Sequence, residues 1–149
     1  MWASLFGFTN LLALVAWALL ILAPRRPAIY SIILFAGVGL LCLTYSVLLA
    51  LLLAGAVDPG GAGAGASFQS IEGIRSIFAT DGGVVVGWTH YLAFDLFVGL
   101  WISRDADAKG FGRLVQAPIL LLTFFAGPFG LFLWLIVRER RARATAKVR

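Results

Sequence analysis

The sequence has little of what most recognisable chemistry requires: 149 residues contain one cysteine and one histidine. Cys42 stands alone in an apolar run, which excludes an intramolecular disulfide, a Cys-rich zinc site and a thioredoxin-type pair. One histidine with scattered carboxylates makes neither an H-E-x-x-H nor an E-x-x-H pair, so no metal ligand set is expected. Charged residues make up only 13% of the chain, too few to cover the surface of a water-soluble domain. No P-loop, dinucleotide fingerprint, serine nucleophile elbow or nucleic-acid module occurs, so no nucleotide or redox cofactor is expected.

Apolar length is what the chain does have. Hydrophobic residues make up 61% and the mean hydropathy is +0.96, which marks an integral membrane protein. Each membrane span takes about 20 residues, leaving room for one domain of a few spans and no large soluble domain. The net charge is +5, but six of the twelve basic residues lie in 138–149, next to an apolar run. That placement suits anionic lipid headgroups better than nucleic acid.

The apolar runs predict an all-α polytopic membrane protein, a four-transmembrane-helix bundle over 1–137 with a basic tail over 138–149. The first run, 5–23, ends at Pro24, Arg25, Arg26 and Pro27. With no basic region before it and no small-residue cleavage site after it, it reads as a retained helix and not a signal peptide. The second run, 28–54, is long enough to span with tilt, and Gly55, Asp58 and Pro59 stop it. Residues 60–66 are a flexible glycine-alanine linker. Phe68, Ile71, Ile74, Ile77 and Phe78 then recur at helical spacing, opposite Gln69, Glu72, Arg75 and Ser76. This predicts a short amphipathic helix over 67–79 at the membrane surface, capped by Ser67.

Asp81, Gly82 and Gly83 read as a break before the third span, 84–103. A charged connection over 104–113, with local ion pairs among Arg104, Asp105, Asp107 and Lys109, leads to the fourth span, 114–137. Gly127 and Pro128 predict a kink in it. Trp88 and Trp101, about 20 Å apart along a helix, and Trp134 suit interfacial aromatic belts. With four spans, Arg25, Arg26, Arg104, Lys109 and Arg113 share one side, against Arg75 and the six tail residues on the other. The first-helix tendency favours the Arg25 side as cytoplasmic, while the tail favours the reverse.

The third span holds the candidate site. An ionised carboxylate near the centre of a membrane helix costs roughly 2.5–3.5 kcal/mol, so Asp95 is either a hydrogen-bonded structural group or a proton donor and acceptor. His90 and Asp95 differ by about 140° of helical rotation and 7.5 Å of rise, so they cannot form a dyad within the helix. Tyr91 and Asp95 are four residues apart and share a face with Trp88 and Ile102. His90, Phe94, Phe97 and Trp101 form a second stripe, suited to helix packing or to lining a slot for a conjugated or isoprenoid molecule. Cys42, Tyr45, Ser46 and Leu49 share a face of the second span. Hydroxyls there, with Thr44 and Thr123, are candidate partners for Asp95 or bundle glue. Asn10 and Gln116 lie near helix ends, where headgroup contact is expected.

A resemblance adds to this reading. Leu11-Leu12-Ala13, Phe68-x-x-Ile71-x-Gly73-Ile74, Gly87-Trp88-x-His90-Tyr91-Leu92-Ala93-Phe94-Asp95-Leu96, Arg104-Asp105, and Leu121-Leu122-Thr123-Phe124 leading to Gly127-Pro128-x-Gly130 together resemble the ABA4-like proteins. The block from His90 to Asp95 is the most specific part; the glycine-rich linker and the Arg-rich tail fall outside the likeness. The resemblance implies a small four-span protein of carotenoid metabolism, since the plant member is required for making neoxanthin from violaxanthin. Opening that epoxide to an allenic alcohol needs one proton delivered to oxygen and one removed from carbon beside an apolar slot. On that footing Asp95 and Tyr91 are the implied acids, His90 and Glu72 the implied bases, and Phe94, Phe97, Trp101, Trp88 and Tyr45 the implied ligand surface.

The expectation is therefore a cofactor-independent carotenoid isomerase or a carotenoid-binding protein in a bacterial inner membrane. The alternative is a non-enzymatic subunit or scaffold that binds pigment or lipid, or stabilises a partner complex. A proton-coupled transporter is a third reading. Expected partners are membrane lipids, a carotenoid or other isoprenoid ligand, and a membrane-protein partner or a second copy; nucleic acid is not among them.

Overall fold

A computed structural model describes residues 1–57 and 66–146, with side chains to residue 139, and these contain helices and no strand. Most of the glycine-rich linker, and the tail side chains beyond Glu139, lie outside the described residues. Helix α1 runs Trp2–Leu22 and stops because Pro24 holds Ala23 extended. Helix α2, Pro27–Leu53, starts on a proline at its first position, where no N–H is needed. Its segment Ile33–Gly39 is wound as a π-helix. Gly37 in that segment is wedged between two neighbours: a Cβ there would lie 3.1 Å from Ala16 and 3.2 Å from Leu96.

Helix α3, Ile71–Ile77, is shorter than the sequence suggests, and Ser70, not Ser67, caps it by accepting from the Gly73 N–H at 3.0 Å. Ser67 lies outside the helix and accepts from the Gln69 N–H at 3.1 Å. Helix α4, Asp81–Ala108, includes the residues expected to break the chain, with Thr80 as its cap. Gly83 and Gly87 are not breakers. A Cβ on the first would strike the Ile77 carbonyl and on the second the Phe78 ring, so they let the α3–α4 corner close. At its other end α4 continues through the first half of the expected charged connection, to Ala108, and a left-handed Gly110 follows.

α4 is the central helix: 56% of its apolar window is buried, against 28% in α1 and in α2. Its Leu96 and Leu100 form the core with Trp17, Leu20, Ile33, Leu41 and Leu120 from the other helices. Phe35, Leu43, Phe94, Phe97, Phe125 and Phe132 point outward, as lipid-facing side chains do. Among the described residues three helices, α1, α2 and α4, are long and apolar enough to cross a membrane.

The run expected as a kinked fourth span is instead two helices, α5 over Arg113–Phe125 and α6 over Gly127–Ala146. They fold back on each other. Near the turn a Cβ on Gly130 would overlap Thr123, so the arms touch there. At the open end Gln116 on α5 donates to Asp107 at 2.8 Å, while Trp134 and Arg138 on α6 donate to Asp105 at 3.1 and 2.8 Å. Both arms thus meet the same end of α4. The reversal occupies one residue, because Pro128 has no N–H to continue the helix and Gly127 has no side chain. Its polar backbone is paired: Ala126 donates to Leu122 at 2.8 Å and accepts from Phe129 and Gly130 at 2.9 and 3.1 Å. Such pairing makes a turn viable at membrane depth.

Candidate functional site

The tip of this hairpin lands on Asp95. A Cβ built on Gly127 would overlap the Asp95 carboxylate, so only glycine lets the α6 N-terminus come this close. The positive end of the α6 dipole therefore faces the carboxyl group. Asp95 is nine-tenths buried and its Oδ2 has no hydrogen-bond partner among the described residues. Tyr91, one turn earlier, places its hydroxyl against both the Asp95 side chain and the Gly127 backbone. The site joins one face of α4 to a broken helix.

Tyr91 opens outward into a cavity of about 360 Å³ lined by Asn10, Leu14, Trp88, Leu92, Phe124 and Phe125 among others. Trp88 stacks on Tyr91 with ring centroids 5.4 Å apart, and its indole N–H donates to Asn10 Oδ1 at 3.1 Å. Asn10 is thus held by a tryptophan. Phe124, Phe125 and Asn10 are site residues that helical periodicity on α4 alone could not find, because they come from other helices.

His90 is exposed on the other side of α4, between Tyr45 and Phe94 at 5.3 and 4.6 Å. Phe94 and Phe97 line a separate apolar groove of about 460 Å³ against the π-helical segment, with Leu34, Phe35, Val38 and Cys42. Trp101 is exposed beneath the Arg138 guanidinium at 5.6 Å. Glu72 is exposed in the first turn of α3. Neither His90 nor Glu72 is brought to Asp95. The hydroxyls expected to reach it do not: Thr44, Ser46 and Thr123 donate to carbonyls in their own helices, those of Leu40, Cys42 and Ile119. Among the described residues no group of three or more His, Cys, Asp or Glu side chains converges to hold a metal.

A second polar cluster closes the other end of α4. Arg25 donates to Ser103, to Gln116 Oε1 at 2.8 Å and to the Leu20 carbonyl at 2.8 Å. Tyr30 donates to Asp107 at 2.6 Å. Asp105 receives Lys109, Trp134 and Arg138. Gln116 is fully buried here, and so is Trp134, although both were expected at the membrane interface. The charged segment read as a solvated loop is the clamp on the hairpin's open end. Its signal in the sequence was the return of Arg138 one turn after Trp134.

Residues 4–134 match the sequence model of the family described as ABA DEFICIENT 4-like. The chain belongs to the ABA4-like family. The matched region of this ABA4-like chain holds Asp95, Tyr91 and the whole hairpin tip, and stops before Arg138. No curated protein and no solved structure matches it.

Proposed function

We propose that this ABA4-like protein acts on a long, apolar isoprenoid of the carotenoid type within a bacterial inner membrane, by proton transfer at Tyr91 and Asp95. The observation that carries the reading is a buried carboxyl group with a free oxygen, linked through one phenol to an apolar cavity. Tyr91 is the proton-carrying group on the cavity wall and Asp95 stands behind it. Tyr91 donates its proton to an epoxide oxygen as one ring C–O bond breaks, the protonated Asp95 carboxyl group hydrogen-bonds the resulting phenolate, and the phenolate takes back a proton from the carbon next to the opened centre, leaving an alcohol of the same composition. Atoms balance without a redox partner, which makes the reaction an isomerisation. His90 and Glu72 have no part in it, because they face elsewhere.

A second reading rests on the groove beside Phe94 and Phe97, whose wall is almost wholly apolar. Such a groove holds a pigment or lipid tail without chemistry, as a binding subunit would. The test compares pigment extracts of cells lacking the protein with cells carrying the wild type, Asp95→Asn or Tyr91→Phe. Deletion should alter the isoprenoid profile, and both variants should accumulate without restoring it. An unchanged profile on deletion refutes the metabolic reading, and full rescue by both variants refutes the proton-transfer step.

A further inference from the structure

The fold-back of α5 on α6 changes where the chain's charge lies. In a four-span bundle the tail would emerge beside α3 and Arg75; in this fold Arg138 returns to Asp105, at the end of α4 that also holds Arg25. The hairpin reaches about 20 Å along α4, short of the roughly 30 Å of a hydrocarbon core. Residues 139–149 contain no apolar run long enough to cross. Arg25, Arg26, Arg104, Lys109, Arg113 and Arg138 therefore lie at one end of the bundle, opposite the end that holds Arg75.

We infer that the described chain crosses the membrane three times and then turns back in a re-entrant hairpin, and that its basic face lies on the cytoplasmic leaflet, in contact with anionic lipid headgroups. The five-against-seven conflict of a four-span count disappears: among the described side chains six basic residues lie on one side against one on the other, the asymmetry that sets orientation. The partner is a lipid surface because the charges ring a membrane-embedded end. Three observations fit that partner: Arg26 and Arg104 are exposed there, Arg138 covers Trp101, and the acidic Asp105 and Asp107 are already paired within the protein. Net positive charge is left facing outward at headgroup depth. This inference is independent of the isoprenoid reading.

Cysteine labelling of the full chain tests it. In a Cys42→Ser background, Gly63→Cys and Ala142→Cys are exposed to a membrane-impermeant maleimide in intact cells and in inverted vesicles. Gly63→Cys should label only in intact cells and Ala142→Cys only in inverted vesicles. Labelling of both from the same side restores four spans and overturns the hairpin; the reverse pattern overturns the orientation. For the lipid, protein extracted in polymer nanodiscs with native membrane should be enriched in phosphatidylglycerol over the bulk. That enrichment should fall when Arg140, Arg141 and Arg143 are replaced by glutamine; a composition equal to the bulk overturns the headgroup contact.

Discussion

Gly127→Ala is the substitution in which this fold departs most clearly from general expectation. Replacing glycine by alanine where the backbone conformation suits alanine ordinarily stabilises by about 0.4–1 kcal/mol. At Gly127 the new methyl would overlap the Asp95 carboxylate, which is buried and cannot swing into solvent. Forcing a methyl group into a packed site costs about 1–3 kcal/mol, which outweighs the propensity gain. For a chain of this size each kcal/mol moves Tm by roughly 2–4 °C, so thermal unfolding in detergent or nanodiscs should show a fall of about 2–12 °C. Gly7→Ala supplies the control, since nothing lies within 4 Å of its Cβ position in α1. It should raise Tm by roughly 1–4 °C. The partner is identified by a double-mutant cycle, because removing the carboxylate with Asp95→Ala should remove most of the Gly127→Ala penalty. If Gly127→Ala behaves like Gly7→Ala, or if its penalty is the same with and without the carboxylate, the hairpin tip does not rest on Asp95.

Other consequences concern the clamp, the core and the groove. Asp105→Asn weakens three converging donors, Lys109, Trp134 and Arg138, and at about 1.5–3 kcal/mol for a hydrogen bond to a charged group should make the C-terminal arm cleavable by limited proteolysis while α1 stays protected. Gly99→Ala places a methyl in the Trp17 ring and should lower stability by about 1–3 kcal/mol, a loss that Trp17→Phe in the same chain should reduce, as read by thermal unfolding. Phe94→Ala and Phe97→Ala remove groove walls that face outward, so they should diminish any co-purifying pigment absorbance while leaving Tm within about 1–2 °C of wild type.

Much of this was legible because lipid imposes simple rules. Runs of twenty or more apolar residues had to be helices, since no other backbone survives in hydrocarbon unless its polar groups are paired. The four-residue interval from Tyr91 to Asp95 placed both on one face before any neighbour was known, and the five-residue interval from His90 kept the imidazole away. Facing information was scarcer. Helices that are apolar all round have no wet side, so the pattern in α1 and α2 says little about what they pack against. Gly127-Pro128 was read as a kink because a proline interrupts a helix whether the chain bends there or turns back.

Composition and helical geometry alone yield an apolar helical protein with one aspartate and one tyrosine set together on one face of its third long apolar run. What only the tertiary structure decided was the path of the last apolar run. Reversal is selected by two contacts distant in sequence from the glycine and proline that permit it: Asp95 receives the tip, and Asp105 holds Trp134 and Arg138 at the open end. Those contacts link α4 to residues some thirty positions away, and no local periodicity records them.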